Sequence, residues 1–171
     1  MSELLDKISG SRGGLEKLVS SIPGYKGYKE KEMRREADRL LRRTLARKYE
    51  EQWSRLSGVQ KRLLSAGSIE YLDDLEGAAT KLRGFIDKLK TAATGYGGLF
   101  DAVKVDEAAL DKLYAFDNAL ADGLTQISGT IDAIDAAIAA KQGVPEAIGR
   151  FDDQCRYLVT TFDQRKEVLI S

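Results

Sequence analysis

Apolar residues recur every three or four positions along three long stretches of this chain, and that spacing limits the fold more than any other feature. The average step of about 3.5 residues is the period of coiled coils and left-handed helical bundles. No alternating apolar pattern of comparable length predicts a strand. We therefore predict an all-α fold. The three stripes are Leu72, Leu75, Ala79, Leu82, Ile86, Leu89 and Ala93; Leu110, Leu113, Asp117, Leu120, Leu124, Ile127, Ile131, Ile134 and Ile138; and Ile148, Phe151, Cys155, Leu158, Phe162, Arg165 and Leu169.

Four long helices follow from these stripes and from a further apolar face upstream. Short connections make helices that are adjacent in sequence antiparallel neighbours. The prediction is an elongated up-down-up-down helical bundle in one domain, 1–171, with a short amphipathic helical segment at its N-terminus. The predicted bounds are 1–22 for that segment and 28–64, 68–94, 106–142 and 145–170 for the four long helices.

Several residues mark where these helices start, stop or break. Ser57 and Gly58 predict a kink or break inside the helix 28–64. Gly67 and Gly143 stand where a C-terminal glycine closes a helix. Asp106 is placed to cap the N-terminus of the helix 106–142.

Only Asp117 and Arg165 break the apolar rule of the stripes. Both fall at core positions of helices predicted to be neighbours. We predict that they form a buried or partly buried ion pair that fixes the register of the two helices. A structure with the two side chains far apart would contradict this pairing.

Charge is distributed unevenly along a chain whose formal net charge is zero. Residues 1–65 carry 16 Lys and Arg against 9 Asp and Glu, a net +7, and residues 66–171 carry 11 against 18, a net −7. The positive excess is concentrated in 26–48, which has 10 basic and 4 acidic residues.

An outward basic stripe is predicted within this stretch. At about 100° per residue, Arg35, Arg39 and Arg42 lie opposite the apolar face that contains Ala37, and Arg43 lies beside them. Such stripes bind phosphate backbones or acidic lipid headgroups. Two other interpretations stay open: a solvated face paired with the interleaved acids, or docking on an acidic patch of this chain or of a second copy.

Aromatic residues are expected to collect at one end of the bundle. Tyr25 and Tyr28 precede the basic helix, and an antiparallel partner helix places Tyr96 and Phe100 beside them. This predicted cluster either forms a binding end or closes the core as a hydrophobic plug.

Gly77, Gly84 and Trp53 each have two interpretations. The glycines share one side of the helix 68–94, either as surface residues or where the N-terminal segment or a second subunit approaches closely. Trp53 lies off the main apolar stripe, either as a core residue or as part of a second contact surface.

The composition argues against catalysis. The chain has no histidine, which excludes Ser-His and Cys-His dyads and most zinc, iron and copper sites. Its single cysteine, Cys155, occupies a core position, which predicts an inert thiol and agrees with a reducing compartment. We expect no enzyme activity, catalytic residue, cofactor, metal ligand or small-molecule substrate; a site for Mg²⁺ or Ca²⁺ made of carboxylates alone is the distant alternative.

Two functions are compatible with these patterns. The first is a non-catalytic scaffold or adaptor that acts through protein–protein contacts, with a protein partner or a second copy of the chain. The second is a module that binds an anionic membrane or nucleic acid through the basic helix 28–48. No stretch approaches the roughly 18–20 consecutive apolar residues that span a bilayer, and the first residues do not form a secretory signal. The expected location is therefore cytoplasmic or at the periphery of a membrane.

Overall fold

Helices account for most of the residues that the computed structural model describes, which are 14–30, 33–96 and 106–170. The prediction of an all-α helical bundle is confirmed. A short 3-10 turn, Ile69–Tyr71, precedes the fourth helix. The helices are α1 (Gly14–Ser20), α2 (Arg34–Ser54), α3 (Leu56–Ser65), α4 (Leu72–Tyr96), α5 (Glu107–Ala140) and α6 (Val144–Ile170).

The helix predicted at 28–64 is two helices that meet at Arg55. The break lies earlier than the predicted Ser57 and Gly58, which are inside α3. At the break the Arg55 amide donates to the Gln52 carbonyl at 3.1 Å, a bond to the third residue back that tightens the last turn of α2. The Arg55 side chain pairs with Asp132 of α5 and also donates to Gln52 Oε1 of α2 at 2.9 Å, so it links the break to α5.

The other predicted bounds agree with the structure to within a few residues. Asp106 caps α5 as predicted, because its Oδ1 accepts a hydrogen bond from the Ala109 amide at 2.8 Å. Gly67 adopts φ of +75° where α3 ends, the left-handed conformation that lets a helix end without a Cβ clash. At the end of α5 this conformation is adopted by Lys141, with φ of +54°, and Gly143 lies directly before α6, so the prediction that Gly143 closes α5 is wrong. The sequence signals at Asp106 and Gly67 therefore acted as expected, whereas the signal at Gly143 did not.

Chain direction alternates along α2–α3, α4, α5 and α6. Antiparallel packing of α2 on α4 follows from the contacts of Trp53 with Ala79 and of Arg42 with Leu89. Antiparallel packing of α5 and α6 follows from the pairing of Asp117 with Arg165 and from the closeness of Gly123 to Leu158. The up-down-up-down order of directions is confirmed.

The spatial order of the helices differs from the expectation that successive helices are neighbours. Two pairs of neighbours run parallel: α4 with α6, and α2–α3 with α5. Lys81 and Lys88 of α4 pair with Asp152 and Asp163 of α6, which fixes the first parallel register. Around the bundle the order is α2, α4, α6, α5, so α4 and α5 face each other across the core.

Residues of the three predicted stripes form the core. Leu75, Leu82, Ile131, Phe151 and most other described stripe residues are buried, Leu72 and Leu124 are partly buried, and the core continues into α1, α2 and α3. The side chains of Ala93 and Leu169 lie outside the described residues. Burial of this apolar surface supplies the main driving force for folding.

The N-terminal segment packs along α5 from residue 14 onward. Leu15, Leu18 and Ile22 are buried there, and the Gly14 amide donates to Asp122 Oδ1 at 2.8 Å. Residues 1–13 of the predicted segment lie outside the described residues. The described part of the N-terminal segment therefore belongs to the bundle.

Gly77 and Gly84 do not mark an approach of that segment. A Cβ added at either position has no atom of the described residues within 4 Å, and α1 packs on α5 instead of α4.

Trp53 is partly exposed, and its indole N–H donates to the Ala79 carbonyl at 3.2 Å. The Arg83 guanidinium lies 5.3 Å from the centre of the Trp53 ring, so this ring is engaged by its own chain.

At Gly123 two helices approach α5 closely. A Cβ added there would lie 2.5 Å from Tyr49 Oη and 2.7 Å from Leu158 Cδ2. The Tyr49 hydroxyl donates to the Leu120 carbonyl at 2.6 Å in the space that the missing side chain leaves. Glycine at this position thus lets α2 and α6 pack on α5 together.

Candidate functional site

The four arginines predicted to form an outward stripe have different environments. Arg35, Arg39 and Arg43 are exposed on α2. Arg42 is only 4% exposed and points into the bundle. The prediction that Arg42 belongs to the outward stripe is wrong.

The buried face of α2 is rotated from the one that the sequence suggested. Leu41 and Leu45 are fully buried, whereas Leu40 and Thr44 are only partly buried. A shift of one residue turns the face by about 100° and brings position 42 inside. The apolar pattern did not predict this rotation, because an arginine is assigned to the surface by its polarity even where it is buried.

Arg47 takes the place that Arg42 was predicted to fill. Arg35, Arg39, Arg43 and Arg47 are all exposed and follow one another at intervals of four residues, and we call them the arginine row. Four residues rise about 6 Å along a helix, so the row is roughly 18 Å long. The sequence shows this interval of four residues, but the wrongly placed apolar face led to Arg42 being included in the stripe instead of Arg47.

Members of the row differ in how their charge is compensated. Arg39 holds Glu36 with two hydrogen bonds of 2.7 and 3.0 Å, which raises the pKa of Arg39 and lowers the pKa of Glu36. Arg43 and Arg47 have no hydrogen-bond or ion-pair partner among residues 14–30, 33–96 and 106–170. Two guanidinium groups of the row are therefore free to contact another molecule.

A groove of about 420 Å³ runs beside the row, between α2 and α4. Its one acid, Glu50, pairs with Lys90 and also has Arg83 Nη1 at 3.8 Å, so the negative charge of Glu50 is neutralised within the chain. Ala46 leaves space on the α2 side because its side chain is small. The groove is lined by Arg39, Arg42, Arg43, Ala46, Arg47, Glu50 and Lys90.

A second cluster of charge lies inside the bundle. Arg165 Nε donates to Asp117 Oδ1 at 2.6 Å, and both side chains are buried. This confirms the pairing that was predicted from their core positions. The pair joins α5 to α6.

The pair belongs to a larger network that the sequence did not predict. Arg165 Nη2 donates to Asp38 Oδ1 at 2.5 Å, and Arg42 Nε donates to Asp38 Oδ2 at 2.7 Å. Arg42 Nη1 also donates to the Leu89 carbonyl of α4 at 3.0 Å. Two arginines thus balance two aspartates across α2, α4, α5 and α6.

Burial dominates the protonation chemistry of this network. It raises the pKa of Asp117, and the nearby Arg165 and the Tyr28 hydroxyl oppose that rise. Burial alone would lower the pKa of Arg165, but Asp117 and Asp38 outweigh it and hold that pKa well above its usual range. Because each charge is paired and enclosed, the network is suited to holding helices in register and not to reacting with a substrate.

The predicted aromatic cluster is described only in part. Tyr28 is fully buried, its hydroxyl donates to Asp117 Oδ2 at 2.6 Å, and its ring centre lies 5.1 Å from that of Tyr114. The side chain of Tyr96 and the whole of Phe100 lie outside the described residues. Tyr25 is partly buried and packs on the same residues. The described tyrosines close one end of the core, as in the plug interpretation.

No cluster of three or more His, Cys, Asp and Glu side chains in the described ranges is placed to hold a metal ion. In the same ranges, each helix is too short or too polar to cross a membrane. The exposed arginine row and its groove are therefore the candidate site that the described residues offer.

Comparison of the chain with protein families, curated proteins and solved structures found no match.

Proposed function

We propose that this protein is a non-catalytic helical-bundle module that binds an anionic surface through the arginine row of α2. The observation that carries the proposal is that Arg43 and Arg47 are exposed in a regular row and form no hydrogen bond or ion pair with an acid among the described residues. Exposed guanidinium groups form charge-assisted hydrogen bonds with phosphate oxygens.

Charge separation within the bundle supports this function. Helix α2 has 7 basic and 4 acidic residues, a net +3, whereas α5 has 1 basic and 6 acidic residues, a net −5. A molecule with this distribution approaches an anionic surface with its α2 side forward. A cytoplasmic location suits the proposal, because nucleic acids and the anionic leaflet of the plasma membrane are accessible there.

Salt dependence and charge reversal test the proposal. Binding is measured with a labelled DNA duplex by fluorescence anisotropy, and with phosphatidylcholine–phosphatidylserine vesicles by co-sedimentation. If all four arginines contact phosphates, affinity for DNA falls on the order of 100-fold between about 50 and about 200 mM salt. Replacing Arg35, Arg39, Arg43 and Arg47 by Glu should abolish binding to the anionic ligand.

A matched control distinguishes binding through the arginine row from a general effect of the net charge. Lys112, Lys141, Arg150 and Lys166 are exposed on other parts of the bundle, and replacing them by Glu changes the net charge equally. This control should keep most of the binding at low salt. Absence of binding by the native protein at low salt, or equal losses in both variants, would overturn the proposal.

A scaffold that contacts another protein is the second candidate. Two large apolar side chains are exposed on either side of the α3–α4 turn, Leu64 at 51% and Ile69 at 64%. A contact between copies through this turn predicts a concentration-dependent mass in sedimentation, which the double variant Leu64→Gln/Ile69→Gln reduces to that of the monomer. A constant monomer mass in the native protein excludes such self-association.

A further inference from the structure

The groove between α2 and α4 contains more positive charge than its own acids compensate. Of the cations that line it, Arg39 pairs with Glu36, Arg42 with Asp38, and Lys90 with Glu50. Arg43 and Arg47 form no hydrogen bond or ion pair among the described residues, although the charge of Arg43 adds to that of Arg39 in lowering the pKa of Glu36. Two guanidinium groups that line the groove are therefore held by no hydrogen bond or ion pair among the described residues.

The spacing of these two arginines suits a single tetrahedral anion. Arg43 and Arg47 are one helical turn apart, so their Cβ atoms are separated by about 5–6 Å. Two long side chains at that distance reach oxygens of the same phosphate group, and each guanidinium offers a planar pair of N–H donors. A phosphomonoester carries a charge of about −1.5 to −2 near neutral pH, which matches the two free cations.

The remaining groove residues leave room for such a group. Ala46 lies on α2 between the two arginines, and its small side chain does not fill the space beside them. Glu50 does not repel an anion strongly, because Lys90 and Arg83 neutralise its charge. Lys90 reaches the groove from α4, so the site is bounded by two helices.

From this geometry we infer that the groove is a phosphomonoester-binding site in which Arg43 and Arg47 hold the phosphate. The inference rests on the proposed function and names the chemistry of its ligand. The phosphate belongs either to a lipid headgroup or to a free phosphorylated compound, and the recognition chemistry is the same for both.

Two kinds of probe test the site in the full chain. Inorganic phosphate is titrated by calorimetry, and phosphatidylcholine vesicles are compared that contain equal molar fractions of phosphatidic acid or phosphatidylserine. We expect preferential binding of phosphatidic acid, weakening as pH falls below about 6 where the phosphomonoester loses its second charge. Tight binding of inorganic phosphate alone assigns the site to a free compound, whereas binding of phosphatidic acid that phosphate does not displace assigns it to a lipid.

A pair of charge-matched variants locates the site. Arg43→Gln/Arg47→Gln should weaken binding at least about tenfold, since it removes two charge-assisted contacts. Arg150→Gln/Lys166→Gln removes the same charge from exposed positions of α6, outside the arginine row and the groove, and should change binding less than about threefold. Circular dichroism verifies that both variants fold.

The outcomes distinguish this inference from the proposed function. If the two anionic lipids bind equally and the two variants lose binding equally, the groove is not a phosphomonoester site. The proposal of general anion binding then still stands. No binding of any probe at low salt overturns both. A tenfold loss confined to Arg43→Gln/Arg47→Gln supports the phosphate site.

Discussion

Arg165 and Asp117 form an enclosed ion pair in which Arg165 Nε donates to Asp117 Oδ1 at 2.6 Å, between helices α6 and α5. Asp38 accepts a second hydrogen bond from the same guanidinium. One cation therefore contacts two carboxylates on different helices, of which Asp38 is also paired with Arg42.

Replacing that cation should destabilise the bundle strongly. Arg165→Met leaves the two buried carboxylates with less compensation, and removing one partner of a buried pair costs roughly 3–5 kcal/mol. Urea unfolding followed by circular dichroism measures this loss. Arg156→Met, on the exposed side of the same helix, should cost less than about 1 kcal/mol. Similar free energies of unfolding for the two variants would show that the network contributes little.

Gly123 and Gly129 offer a matched pair on α5. Gly123→Ala places a Cβ 2.5 Å from Tyr49 Oη and should destabilise the protein by about 1–3 kcal/mol, because Tyr49 and Leu158 must move in a packed core. Gly129→Ala meets no atom of the described residues within 4 Å and should stabilise the helix by up to about 1 kcal/mol. The midpoints of thermal unfolding show which of the two variants is more stable than the native protein and which is less stable. The prediction fails if both substitutions shift the midpoint in the same direction.

Cys155 should be unreactive while the protein is folded. Burial raises the pKa of this thiol to about 12, so it stays protonated at neutral and mildly alkaline pH. A disulfide reagent should modify no thiol of the native protein and one thiol after denaturation in guanidinium chloride. Rapid modification of the native protein would mean that α6 opens locally.

The buried tyrosines should make the fold sensitive to alkali. Burial raises the pKa of Tyr28 and of Tyr49 well above the usual value, and Asp117 adds to the rise at Tyr28. Because these groups keep their protons longer in the folded state, stability is unaffected below about pH 10, the unfolded pKa, and falls above it. Tyrosinate absorbance at Tyr28 and Tyr49 should then appear together with unfolding. Ionisation of every tyrosine near pH 10 in a protein that stays folded would contradict this.

Periodicity predicted the helices well because the stripes of α4, α5 and α6 are almost entirely apolar and buried. The same method located Asp117 and Arg165 in the core, since their neighbours in the stripe fixed the face. It failed at Arg42, where a buried charge on the less regular α2 was taken for a surface residue. Patterns of hydrophobicity identify a buried polar residue only when apolar residues around it define the face.

Helix arrangement was less accessible from sequence than helix location. A stripe shows which face is buried but not which helix covers it. The parallel contacts of Lys81 with Asp152 and Lys88 with Asp163 depend on α4 lying beside α6, and the expectation of sequential neighbours missed this. Arg47 entered the candidate site only when the structure fixed the rotation of α2.

The connection from Asp38 to Arg165 also sets an order of events during synthesis. Arg165 follows Asp38 by 127 residues, so at roughly 5–20 residues per second the ribosome makes it about 6–25 s later. Until then Asp117 lacks its cation and Asp38 has only Arg42, and water solvates these carboxylates better than an unfinished core. This end of the bundle should therefore close late, when α6 emerges, and a nascent chain stalled before residue 165 should remain open there.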